Sequence, residues 1–203
     1  MATVDRSTDR IDTTLFITVS GPPGCGATTL CERLADAMGC PYVSGGDIFR
    51  ELAEDRDMSL TQLTAKADES DEIDRALDRR LRSIAEKWGA ANKPVILESR
   101  LAGWIAGNRA DLRIWLDAPE DVRKARISDR EETAPEMSVR EVSEAGRYER
   151  YYEIDIEDRE FYDLHLNTAR WDKDGVFAIV RAAIEAYDPA TDEGAFRTAP
   201  PEI

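Results

Sequence analysis

LFITVSGPPGCGATTL, residues 15–30, decides how the chain folds. Leu15 to Val19 reads as a buried strand, a short apolar run bounded by turn residues. Ser20 ends it, and Gly21, Gly24 and Gly26 with two prolines make a loop. Leu30, Leu34, Ala37 and Met38, at spacings of three and four, then form one face of a helix, with Gly39 where a C-terminal cap belongs. A strand, a glycine-rich loop and a helix start, in that order, turn successive backbone N–H groups toward an anionic phosphate. The helix N-terminus adds its partial positive charge. Gly21, Gly26 and Thr28 fall on the G-x-x-x-x-G-K-[ST] pattern, whose Ser/Thr hydroxyl binds Mg²⁺. Ala27 departs from it, standing where a lysine bridges the outer phosphates and follows charge during transfer. A tight Gly-Pro turn that binds nothing is the bland alternative. The strand before the loop and the amphipathic helix after it oppose that reading.

Outward from this unit, further strands are expected at Pro41 to Val43, Val95 to Leu97, Leu112 to Leu116 and Leu164 to Leu166. Strands alternating with helical patterns imply a parallel sheet covered on both faces, a three-layer α/β sandwich. The stretch from Val43 to Val95 is long for one crossover and carries Ile73, Leu77, Leu81, Ile84 and Ala85 at helical spacing. Residues 47–90 therefore read as an inserted helical lobe. A last helix, about Gly175 to Tyr187, presents Val176, Ile179, Val180 and Ile184 on one face. The domain spans 14–187, and residues 1–13 and 188–203 read as disordered tails with too little apolar content to order themselves.

The chain has 203 residues with 42 acidic and 27 basic side chains, a formal charge of −15. That balance argues against nucleic-acid and anionic-membrane partners. No apolar run approaches the ~20 residues that a membrane helix needs. With only five lysines among the bases and dispersed acids, the surface is that of a salt-adapted, halophilic protein. The polar N-terminus lacks a secretory pattern and the three cysteines form no paired set, so a cytoplasmic protein is expected.

Arg50 follows the second strand, past a helix start that Ser44 or Asp47 would cap, and Arg100 follows the third. Open parallel sheets bind ligands outside the carboxyl ends of their strands, so both guanidinium groups are expected in one crevice with the loop. Glu98, at the same edge, suits Mg²⁺ held through water. Arg126, Arg130, Arg140 and Arg147 lie in the sparsely apolar stretch 126–150, which reads as a mobile lid. Acids three or four residues away, Glu144 among them, offer the bland reading of surface ion pairs. His165 reads as a strand residue, Trp88, Trp104, Trp115 and Trp171 as core or core edge, and Trp104 also as a possible base contact. Cys25 is expected to matter through its backbone N–H rather than its sulfur.

These segments resemble the archaeal type of cytidylate kinase, a P-loop nucleoside monophosphate kinase, over about Phe16 to Ala186. The resemblance rests on ITVSGPPGCGATTL at 17–30, VSGGDIFRELAEDRDMSL at 43–60, EIDRALDRR at 72–80, VILESRLAGW at 95–104, ADLRIWLDAP at 110–119 and SEAGRYERYYEIDIEDREFYDLHLNTARW at 143–171. It implies transfer of the ATP γ-phosphoryl group to CMP or dCMP with Mg²⁺, by a monomer whose partners are these small nucleotides. By the same resemblance, Gly21, Pro22, Pro23, Gly24, Cys25, Gly26, Ala27, Thr28 and Thr29 hold ATP, and Ser44, Arg50 and Arg100 hold the monophosphate. Arg126, Arg130, Arg140 and Arg147 serve transfer, and Thr28 and Glu98 serve the metal. Two alternatives stay open: another acceptor such as AMP or UMP, read in part by Arg75, Asp78 or Arg79, and a nucleotide-binding pseudokinase that lost transfer with the lysine.

Overall fold

Each of the five apolar runs becomes a strand in the computed structural model, which describes residues 10–127, 134–191 and 201. The strands are β1 (Phe16–Ser20), β2 (Tyr42–Ser44), β3 (Val95–Glu98), β4 (Leu112–Asp117) and β5 (Leu164–Asn167). All pair in parallel, in the order β2-β3-β1-β4-β5. The expected five-stranded α/β sheet is thus present. Helices fill the connections: α1 (Ala27–Met38), α2 (Gly45–Glu54), α3 (Leu60–Glu69), α4 (Glu72–Ala91), α5 (Ala102–Ala106), α6 (Glu120–Ile127), α7 (Ala134–Tyr152) and α8 (Lys173–Ala186).

The strands read as continuous apolar runs because both faces of the sheet are covered, as parallel sheets require. Alternate side chains divide between two cores. Ile17, Val19, Ile96, Ile114 and Leu116 pack beneath α1 and α8. Phe16, Val95, Leu97 and Trp115 join a second core that runs on through Ile48, Leu63, Ile73 and Leu81 of α2–α4 into Tyr148 of α7. Burial of each such side chain contributes about 1.5–3 kcal/mol, so the insert is welded to the sheet by its own apolar face.

Local signals hold where the physics is short-ranged. Gly39 closes α1 in the left-handed conformation with its N–H on the Ala35 carbonyl, and the Ser44 side chain caps α2 by accepting from the Asp47 N–H at 3.4 Å. Three expectations change. Ile11, assigned to the tail, is 3% exposed and donates its backbone N–H to the Ala37 carbonyl at 2.9 Å, so the packed chain begins before residue 14. Trp104 packs on Phe161, with ring centroids 4.2 Å apart, and does not line the crevice described below. Trp171 is 51% exposed rather than part of the core. His165 lies exposed on β5. Residues 1–9, 128–133, 192–200 and 202–203 lie outside the described residues, with Arg130 and most of both assigned tails among them.

Candidate active site

The loop between β1 and α1 is shaped by glycines with distinct duties. Gly26 precedes α1 at φ 99°, a conformation that L side chains rarely adopt, and a Cβ there would meet nothing within 4 Å. Its requirement is conformational. Gly24, at φ 79°, also needs room, since a Cβ would lie 2.7 Å from the Arg123 carbonyl oxygen. No side chain caps the first turn of α1, whose residues Ala27, Thr28 and Thr29 border the crevice. Their backbone N–H groups have no partner within the helix, so the turn suits an anion. The Cys25 N–H does not join them, because it donates to the Pro22 carbonyl at 3.1 Å and closes the loop on itself. Burial pushes the Cys25 thiol up to about 12, which leaves the sulfur inert.

At the carboxyl edge of the sheet the register sets Ser44 and Val19 beside Glu98. The Glu98 carboxylate accepts from the Tyr42 hydroxyl at 2.8 Å and the Ser44 hydroxyl at 3.0 Å, both on Oε2. Burial pushes its carboxyl up, with these two bonds opposing. A half-buried, hydroxyl-held carboxylate beside a phosphate loop is a hard oxygen donor of the kind that magnesium or its waters take. Among the described residues no cluster of three His, Cys, Asp or Glu side chains could hold a metal unaided. The donor set therefore fits a magnesium ion that arrives with nucleotide phosphates and meets Thr28 and Glu98.

Loop, strand ends and helical insert border one crevice of about 1740 Å³. Ser44, Arg50, Glu98 and Arg100 all reach it, as the strand ends imply. Arg50 is half-exposed and pairs with Asp47. Arg100 is nearly buried and sits with Nε 3.0 Å from Glu144 Oε2.

The arginines of stretch 126–150 divide. Arg126 grips carbonyls: its Nη1 donates to Gly24 at 3.2 Å and to the Thr168 hydroxyl at 2.9 Å, and its Nη2 to the Thr168 carbonyl at 3.1 Å. Arg140 pairs with Glu144 at 3.2 Å, four residues on, as the bland reading has it. Arg147 differs most from the expectation. Its guanidinium bridges Asp74 at 2.7 Å and Asp68 at 2.6 Å, which makes it a brace from α7 to α3 and α4. Burial pushes the Asp74 carboxyl up against the pull of that guanidinium. Arg147 is committed to this pair because a buried carboxylate without its cation is strongly disfavoured.

Sequence reasoning missed Arg123. It is 7% exposed, bonds the Pro23 carbonyl at 3.0 Å and pairs with Glu141, so it anchors the loop from behind. It missed Thr168 as well, whose hydroxyl donates to the Cys25 carbonyl at 2.7 Å. Neither role has a local signal, since the partners that define it, Glu141 and Pro23 for Arg123 and Cys25 for Thr168, lie 18, 100 and 143 residues away. Of the proposed base readers, Asp78 borders the crevice, while Arg75 and Arg79 do not.

The family model described as AAA domain matches residues 17–159. Over 187 residues the chain is 53% identical to a cytidylate kinase of Haloquadratum walsbyi, covering 90% of this chain and 95% of that one. It is 52% identical over 185 residues to a cytidylate kinase of Natronomonas pharaonis, covering 89% and 94%. Among solved structures, shikimate kinase from Bacteroides thetaiotaomicron aligns at TM-score 0.55 and 17% identity over 84% of this chain and 98% of its own, which shows a shared fold. Similarity along nearly the whole length, in a chain that gathers a glycine loop, arginine-bearing strand ends and a helical insert around one crevice, places it in the archaeal cytidylate kinase family of P-loop nucleoside monophosphate kinases.

Proposed function

We propose that the chain transfers the γ-phosphoryl group of ATP to CMP or dCMP, giving CDP or dCDP and ADP. The observation that carries this reading is the shared crevice, which the loop of 21–29, Arg50, Glu98 and Arg100 all line. An oxygen of the acceptor phosphate attacks the γ-phosphorus while its bond to the β-bridging oxygen breaks. No side-chain nucleophile is needed. The first turn of α1 orients the donor phosphates. Ser44, Arg50 and Arg100 orient the acceptor, for which a guanidinium fork gripping two oxygens is suited at any working pH. Thr28 and Glu98 would hold magnesium, which neutralises phosphate charge when bound. In this reading α2–α4 form the acceptor lobe and residues 126–150 the lid that excludes water, with Arg126 and Arg140 bordering the crevice. Arg147 acts there as a brace.

Calorimetry with Mg-ATP in molar KCl, followed by a panel of monophosphates with coupled ADP detection, tests the reading. Heat of binding and preference for CMP support it, and preference for AMP or UMP overturns the substrate. Ala27 favours a second reading, a binder without transfer. A wild type that binds ATP but stays silent with CMP, and gains turnover as Ala27→Lys, would establish that alternative. The acidic surface supports salt adaptation in the cytoplasm. A melting temperature that does not rise between dilute and molar KCl counts against it.

A further inference from the structure

Four carboxylates on α3, α4 and α7 border the crevice: Asp68, Asp74, Asp78 and Glu144. Three are answered by arginines, Asp68 and Asp74 by Arg147 and Glu144 by Arg100 and Arg140. Asp78 is not. It is 2% exposed, and its one hydrogen-bond partner among the described residues is the Tyr152 hydroxyl, 2.6 Å from Oδ2. Oδ1 receives no donor among the described residues. Asp78 borders the crevice, so this oxygen faces the space a ligand would fill, and a ligand that displaces its water must supply a donor or lose about 1–3 kcal/mol.

The surroundings narrow what that donor is. A cation would repeat the pairing that its three neighbours make, whereas among the described residues Asp78 forms no ion pair, and Arg82 and Arg75 act on it only through their longer-range charge. The same crevice is lined by Leu77, Phe49 and Tyr148, whose apolar and aromatic surfaces suit a planar ring better than a hydroxyl-studded sugar. The phosphate clamps Arg50 and Arg100 stand at the strand ends, and Asp78 lies in the helical insert, on the part of the wall left to the remainder of the acceptor.

We propose that Asp78 reads the acceptor base, its open carboxylate oxygen taking a hydrogen bond from the exocyclic amino group of cytosine while Tyr152 holds the other oxygen in place. This rests on CMP being the acceptor, as argued above, and names the residue that sets that choice. The same oxygen would meet the lone pairs of a 4-keto group in uracil, so one residue both attracts the correct base and repels its closest competitor. Burial pushes the Asp78 carboxyl up to about 7, and the Tyr152 hydrogen bond and the charges of Arg82 and Arg75 offset it only in part.

Steady-state rates with CMP, dCMP, UMP and the 4-deamino analogue of CMP, on wild type and Asp78→Asn, test the assignment. Asparagine can still accept from Tyr152 while turning an N–H₂ donor to the crevice. Wild type should lose about 30-fold in kcat/KM when the amino group is deleted, the size of one hydrogen bond to a charged group. In Asp78→Asn that loss should shrink to about 2-fold, and the CMP:UMP ratio should fall by a similar 30-fold, mainly through KM. A wild type that prefers CMP beside an Asp78→Asn with the same CMP:UMP ratio overturns the role of Asp78 alone. So does a changed CMP:dCMP ratio with CMP:UMP unaltered, which would assign Asp78 to the sugar. A wild type that prefers UMP removes the acceptor reading and this proposal together. If Asp78→Asn melts too low to assay, the wild-type arm still decides, because equal use of CMP and its 4-deamino analogue overturns the proposal.

Discussion

The phosphate loop and helix α7 border the same crevice but are built from opposite materials. The loop acts through backbone: its conformation follows from Gly24 and Gly26, and its ligand groups are N–H bonds that every residue carries. Helix α7 acts through side chains: Glu144 and Arg147 take their meaning from Arg100, Asp68 and Asp74 on other elements. A site made of backbone is written into consecutive residues and does not depend on the side chain at Ala27 for its N–H groups. A site made of ion pairs depends on topology, and each member fails with its partner.

Breaking the loop should have the largest effect. Gly24→Ala drives a Cβ toward the Arg123 carbonyl oxygen at a φ that only glycine tolerates well, so calorimetric binding of Mg-ATP should fall by three orders of magnitude or more, on the order of the loss seen when preorganised donors are displaced. Detectable heat at wild-type affinity would show that the loop adapts. On the acceptor side Arg100→Ala should lower kcat/KM for CMP by about 10²–10³-fold while the ATP dissociation constant moves less than about 3-fold. Unchanged kinetics would retire Arg100 as a clamp. Arg147→Ala tests whether α7 is braced rather than catalytic. It leaves Asp74 buried without its cation and should cost about 3–5 kcal/mol of stability in urea melts, with kcat nearly kept at a temperature where the variant is folded. A large loss of kcat at full stability would reverse that assignment.

The smallest effect is a pH dependence. The folded Asp78 carboxyl sits near 7, above its ordinary 3.8, because burial outweighs the Tyr152 bond, with Asp74 pushing it further up and Arg82 and Arg75 drawing it down. A carboxyl raised on folding is protonated more readily in the native state. Its destabilising charge is fully present above about pH 7 and is relieved as pH falls toward 3.8. Relative to Asp78→Asn, wild type should therefore lose about 1 kcal/mol between pH 6 and pH 7 and nothing further above 8. A flat difference across that range would show that Asp78 is ionised throughout.

What could be read from the chain follows the same division. All five strands lie within about a residue of their apolar runs, and Gly39 and Ser44 cap the helices that they flank. The loop could be read because strand, glycines and helix are contiguous. Arg50 and Arg100 could be placed because parallel sheets collect ligands at their carboxyl edge. The roles of Arg123, Thr168 and Arg147 could not, since nothing near Arg147 in sequence announces Asp74, 73 positions away. Ile11 was hidden for a related reason, as one apolar residue in a polar stretch has no period to report.

The unbroken apolar core from Trp115 through the insert to Tyr148 restricts how this molecule can move. No slack linker separates helical insert from sheet, so any narrowing of the cleft must proceed as small sliding shifts of interlocked side chains, shared among several helices, instead of a swing about one pivot. Rigidity of that sort limits the reach of each helix and lets every helix feel the displacement of the others.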